Sequence, residues 1–146
     1  MKRILTIHGP NLNLLGQRDP SLYGSFTLDE LNQKIVDFAA KNGVEVKLVQ
    51  SNYEGEIVDE FHKARGYFDG IIINPAAYAH YSYVIRSAIE SIQVPCLEVH
   101  ISNVHKGDAF RKKDIIGPVC VGVISGLGWM GYLLALEYFL FSLRQR

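Results

Sequence analysis

Residues 70–75 read Gly-Ile-Ile-Ile-Asn-Pro. A run of β-branched residues, opened by glycine and closed by a proline that cannot continue a strand ladder, marks a short strand. A strand with one wet face would alternate apolar and polar residues, whereas an unbroken apolar run belongs to a parallel sheet covered on both sides. Similar runs occupy Ile4–His8, Val46–Gln50, Cys96–His100 and Val119–Ile124. The segments between them carry helical period. Leu28, Leu31, Ile35, Phe38 and Ala39 share one face of Thr27–Asn42, with Thr27 and Glu30 spaced as a capping box and Gly43 as the stop. Ile57, Phe61 and Ala64 line up over Glu54–Arg65, and Ile85, Ala88, Ile89 and Ile92 over Tyr83–Ile92; a last helix spans Trp129–Leu143. Strands alternating with helices from end to end predict an α/β fold, a flavodoxin-like three-layer sandwich with a five-stranded parallel sheet. No repeat, low-complexity tract or linker interrupts the pattern, so residues 1–146 are expected to form one domain.

Composition narrows the function. With 48% hydrophobic residues the chain can build a sizeable core, and 15 basic residues balance 15 acidic ones. No field of one sign recommends a nucleic acid or an anionic membrane as partner. Cys96 and Cys120 both lie in apolar runs, which reads as buried, unpaired thiols in a reducing, cytoplasmic setting. The chain begins directly with strand-like Lys2–Ile7, and nothing there resembles a secretory leader. Val119–Leu143 is apolar except for Glu137, yet Ser125-Gly-Leu-Gly128 breaks it well short of the about 20 residues a spanning helix needs. Strand, glycine turn and buried helix is the expected arrangement.

Parallel sheets of this kind bind ligands beyond the carboxyl ends of their strands. Polar residues collect there: His8-Gly-Pro-Asn-Leu-Asn13, Asn74-Pro-Ala-Ala-Tyr-Ala-His80 and Glu98-Val-His-Ile-Ser-Asn103. Cofactor signatures are missing; there is no glycine-rich phosphate loop and no Cys or His pair at zinc-finger spacing. Glu98 and His100 share a strand face, where a carboxylate would orient the imidazole and raise its basicity for acid catalysis, or the two would simply satisfy each other. Ser102 and Asn103 either help to bind an anion or cap a helix. The loop Gly16–Gly24 brings Arg18 near Tyr23. A guanidinium favours a phenolate, but lowering a phenol pKa of about 10 to neutrality takes about 4 kcal/mol, more than one exposed arginine supplies without loop closure; a solvated Arg18 beside an exposed Tyr23 is the plainer reading. His80 is open between site and surface. His8, His62 and His105 read as structural or solvated. A zinc site from His80, His100 and a carboxylate lacks supporting spacing.

Taken in order, Gly9-Pro-Asn-Leu-Asn-Leu-Leu-Gly16, Tyr23-Gly24, Gln50-Ser-Asn-Tyr-Glu-Gly55, Ile72-Ile-Asn-Pro75, Glu98-Val-His-Ile-Ser-Asn103, Phe110-Arg111 and Gly126-Leu-Gly128 with Gly131-Tyr132 resemble the type II 3-dehydroquinate dehydratases over about residues 4–140. The resemblance implies a lyase that removes water from 3-dehydroquinate by anti elimination, with no metal, no Schiff-base lysine and no cofactor. It implies Tyr23 as base with Arg18 assisting, Asn11 holding a water against the enolate oxygen, and His100 as acid oriented by Glu98. Asn74 with Ile101 and Ser102 would bind the substrate carboxylate, and His80 and Arg111 its ring hydroxyls. It also implies a homododecamer built from trimers. The chain departs from the family pattern at His8, Ala76, Ala79, Gly107 and Ser87. Ser87 stands where an aspartate usually reaches a neighbouring subunit's substrate, and so is expected to make a weaker contact there. Two rivals are a binding module that has lost turnover and a metal-dependent hydrolase.

Overall fold

The computed structural model describes residues 1–144. Its elements run β1 (Lys2–His8), α1 (Pro20–Tyr23), α2 (Leu28–Lys41), β2 (Val44–Gln50), α3 (Glu54–Ala64), β3 (Gly70–Asn74), α4 (Tyr83–Ile92), β4 (Cys96–His100), β5 (Gly122–Ser125) and α5 (Met130–Arg144), with short 3-10 turns between them. All strand pairs are parallel and the order is β2-β1-β3-β4-β5, the flavodoxin-like arrangement expected from the strand–helix alternation. The order reverses between β1 and β3, so the crevice beyond His8 and Asn74, which pair in register, is the switch point.

Alternation along the buried strands feeds two separate cores. Ile4, Ile72, Leu97 and Val99 pack with Leu31, Ile35 and Ala39 of α2 and with Tyr132, Leu136 and Phe139 of α5. Leu5, Ile7, Ile71 and Ile73 face Ile57 and Phe61 of α3 and Ile85 and Ile89 of α4. The sheet is thus the middle of three layers. Thr27 caps α2 by accepting from the Glu30 N–H at 3.1 Å, but its hydroxyl turns to the Glu30 carboxylate, so only half of the capping box forms.

Three expectations are corrected. The last strand begins at Gly122, because Gly117–Val119 closes into a 3-10 turn. Asp114 accepts from the Ile116 and Gly117 N–H groups, and Pro118 lacks a donor for a ladder. The last helix is not wholly buried; Met130, Leu134, Tyr138 and Phe141 stay exposed, as do Val121 and Val123 beside it. Cys96 is buried but Cys120 is only half-buried; both are free thiols. Among the described residues, no helix is long and apolar enough to cross a membrane.

Candidate active site

Gly9 is where β1 leaves the sheet. Its N–H donates to the Asn74 carbonyl at 2.8 Å, and a Cβ there would lie 2.6 Å from that oxygen. Only glycine allows β1 and β3 to turn away so close together, and the space opened beyond them is a cavity of about 460 Å³. Asn11, Arg18, Tyr23 and Asn74 line it from the β1 and β3 side. His80, His100, Ile101, Ser102 and Arg111 line it from the other.

Asn11 sits in the left-handed region at φ 70°, held by its N–H donating to Asn52 Oδ1 at 3.0 Å. Asp19 accepts from the Ser21 N–H and Pro20 opens the single helical turn α1, which carries Tyr23 to the cavity rim. The two arginines divide Tyr23 between them. The Arg18 guanidinium lies 3.7 Å from the ring centroid, stacked on the π face, while Arg111 Nη1 donates to the hydroxyl at 3.5 Å. Gly107 makes room for this, since a Cβ there would meet Arg111 Cδ at 2.8 Å. Arg111 therefore contacts the phenol oxygen, a partner not foreseen for it. His80 donates its Nδ1–H to the Lys113 carbonyl at 2.8 Å and meets Phe110 edge-on, leaving Nε2 for the cavity.

Asn74 ends a buried chain of hydrogen bonds. Its Oδ1 accepts from the Ala76 N–H at 3.1 Å and its Nδ2 donates to Tyr132 Oη at 3.0 Å. That hydroxyl donates to His8 Nδ1 at 3.2 Å, and His8 Nε2–H donates to Asn32 Oδ1 at 2.8 Å. Burial pulls His8 down to about 4, so it stays a neutral imidazole in which each nitrogen has one role.

Glu98 and His100 point together to the α3–α4 face, and His100 Nε2 is hydrogen-bonded to Glu98 Oε2. Burial first, then the nearby Asp114, pushes Glu98 up to about 10. Burial pulls His100 down to about 4, against the attraction of Asp114. Near neutrality both are uncharged, so the bond runs from a protonated Glu98 to Nε2. This reverses the expected carboxylate-to-imidazole polarity and leaves the proton of His100 on Nδ1.

A model of the family described as "Dehydroquinase class II" matches residues 2–140. The chain belongs to the class II dehydroquinase family. It is 55% identical over 136 residues to the 3-dehydroquinate dehydratase of Thermotoga neapolitana, covering 93% of this chain and 92% of that protein. Against the 3-dehydroquinate dehydratase of Desulfitobacterium hafniense strain DCB-2 it is 50% identical over the full length of both. The crystal structure of type II dehydroquinase from Butyrivibrio crossotus superposes with a TM-score of 0.93 at 43% identity, covering 94% of this chain and 97% of that one.

Among the predicted dehydroquinase site residues two do not line the cavity. Glu98 is fully buried behind His100, and Ser87 lies exposed on α4, away from the cavity of its own chain. Asn103 is a cap, accepting from the His105 N–H at 3.0 Å, and it borders the cavity together with Ser102. The His8–Tyr132–Asn74 chain and Asp114 were not anticipated as partners of the site. Glu98, His100 and Asp114 each bring one polar side-chain atom within 4.8 Å of the others. His80 is not among them.

Proposed function

We propose that this chain dehydrates 3-dehydroquinate to 3-dehydroshikimate through an enolate, acting as one catalytic domain over residues 1–146. Tyr23 removes the C2 proton, with Arg18 and Arg111 both within reach of the developing charge. Asn11 holds a water against the enolate oxygen, an oxyanion role. His100 gives the Nδ1 proton to the departing C1 hydroxyl, and Glu98 fixes its tautomer. Asn74, Ile101 and Ser102 receive the substrate carboxylate, and His80 and Arg111 the ring hydroxyls. Ser87 contributes from a neighbouring copy.

The observation that carries this reading is the meeting of a phenol from α1 and an imidazole from the end of β4, far apart in sequence, at one cavity of the size small-molecule sites have. Exposed Val123, Leu134 and Phe141 support assembly into a homododecamer of trimers, since apolar patches on a free surface mark contacts between proteins. Free Cys96 and Cys120 support a cytoplasmic location, in either shikimate biosynthesis or quinate breakdown. The test is turnover of 3-dehydroquinate followed by absorbance of the conjugated enone. Tyr23→Phe should fold normally and lose about 10²–10⁴-fold in rate, the usual worth of a positioned base. Binding without turnover in the parent would establish the inactive module instead.

A further inference from the structure

Asp114 sits between the cavity and the 3-10 turn Gly117–Val119. Its Oδ1 accepts from the Ile116 N–H at 3.0 Å and the Gly117 N–H at 2.9 Å, which fixes the carboxyl in place. An oxygen of the same carboxyl lies within 4.8 Å of one of Glu98. Glu98 commits Oε2 to His100, while its Oε1 is buried and finds no donor. Two ionised carboxylates offer each other only acceptors and like charge. That repulsion is relieved when Glu98 keeps its proton.

We propose that Asp114 is a positioning residue for the elimination, its carboxylate keeping the proton on Glu98 and so making Glu98 the donor to His100 Nε2. The ring is then locked with its remaining proton on Nδ1, the nitrogen left for the cavity. This rests on His100 being the acid in the reading above. When the C1–O bond breaks, its electron pair leaves with oxygen and Nδ1 supplies the proton that completes water. Nε2 takes the Glu98 proton as Nδ1 gives up its own, so the imidazole stays neutral throughout. The unit ends one proton short, and Tyr23 one proton richer from C2. Exchange with solvent restores both. The other titratable groups near the unit are Cys96 on the same strand, Cys120 before β5 and His80 after β3.

Asp114→Asn isolates the proton. The amide keeps Oδ1 for the two backbone donors and turns an N–H toward Glu98, so the turn is preserved while one negative charge leaves the unit. Proton affinity must then fall, and the high-pH limb of kcat/KM should move down by about one pH unit or more, a tenfold weaker hold. A limb that does not move overturns the proposal. Should the variant fail to fold, infrared difference spectra of the parent against Glu98→Gln, without substrate at neutral pH, give the answer. A protonated-carboxyl band lost in Glu98→Gln supports the proton held on Glu98, and no such band overturns the proposal. Near-parent turnover in His100→Ala would overturn the acid assignment, and with it this positioning role, while the band still reported the proton by itself.

Discussion

His8 and His100 end β1 and β4, both at the carboxyl edge of the sheet, and burial drives both to about 4. Their surroundings separate them. His8 is fully enclosed between the Tyr132 hydroxyl and the Asn32 amide, neutral partners that use both ring nitrogens. His100 has one nitrogen on a protonated carboxyl and the other at a cavity. The same desolvation makes one imidazole a strut and the other a poised donor. What a buried histidine can do is decided by whether a proton source stands behind it and open space in front.

The largest separation should appear on deletion. His100→Ala is expected to lose about 10²–10⁴-fold in turnover. His8→Asn should lose far less rate, and what it loses should appear in KM through Asn74. Its main signature is in stability. An unfolded histidine titrates near 6.5 and folded His8 near 4, so between those values the unfolded chain binds the extra proton and stability falls as pH falls. From pH 6.5 to about pH 5, His8 accounts for a loss of about 2 kcal/mol, which His8→Asn should remove. His100 contributes a slope of the same sign. Glu98 opposes both, because its folded pKa is raised and the native state holds the extra proton. Urea unfolding at the two pH values measures the difference, and an unchanged slope would mean that His8 is not held neutral.

The strand-end histidines were visible in the sequence, yet their difference was not. Period and punctuation located the strands, since isoleucine runs closed by Asn-Pro or followed by Gly-Pro have few other uses. The strand-end rule then indicated where Asn74, Glu98 and His100 would gather. Pairings across long sequence gaps were out of reach. Tyr132 meets His8 across 124 residues and Arg111 meets Tyr23 across 88, contacts that only tertiary packing creates. Asp114 follows two lysines in a stretch with no periodicity, so nothing local set it apart from a solvated loop acid. The helical turn α1 was missed for another reason: four residues are too few to show a period, and Asp19-Pro20 reads equally as a turn. Ala76 shows the reverse. Its departure from a common glycine was legible, and the structure gives it φ 52°, a left-handed conformation that costs a residue with a Cβ about 1–2 kcal/mol.

A smaller effect tests whether the strut reaches the site. Tyr132→Phe keeps the ring packed in the core and deletes only the hydroxyl that joins His8 to Asn74. Asn74 Nδ2 and His8 Nδ1 are then buried without a partner, at a cost of about 1–3 kcal/mol. If the chain holds Asn74 for the substrate carboxylate, KM should rise with little change in kcat, the pattern of lost ground-state binding. A stability loss without a KM change would confine the chain to folding.

The smallest expected effect comes from giving His8 the kind of neighbour His100 has. Asn32 is half-buried at the start of α2, and its Oδ1 already accepts from His8 Nε2 at 2.8 Å. Asn32→Asp preserves that shape and replaces a neutral acceptor with a charged one. An opposite charge at hydrogen-bond distance favours the imidazolium, so the folded pKa of His8 should climb back toward 6.5. Each unit recovered is about 1.4 kcal/mol, and the acid-side loss of stability should shrink by about that amount. The variant still should not behave as His100 does, because Nδ1 of His8 remains tied to Tyr132 and meets no cavity. The decisive comparison is the pH profile of unfolding against the pH profile of turnover. Asn32→Asp should flatten the first and leave the position of the limbs of the second in place. A shifted catalytic limb would show that His8 titration is felt at the cavity through Tyr132 and Asn74, and the division between strut and donor would fail.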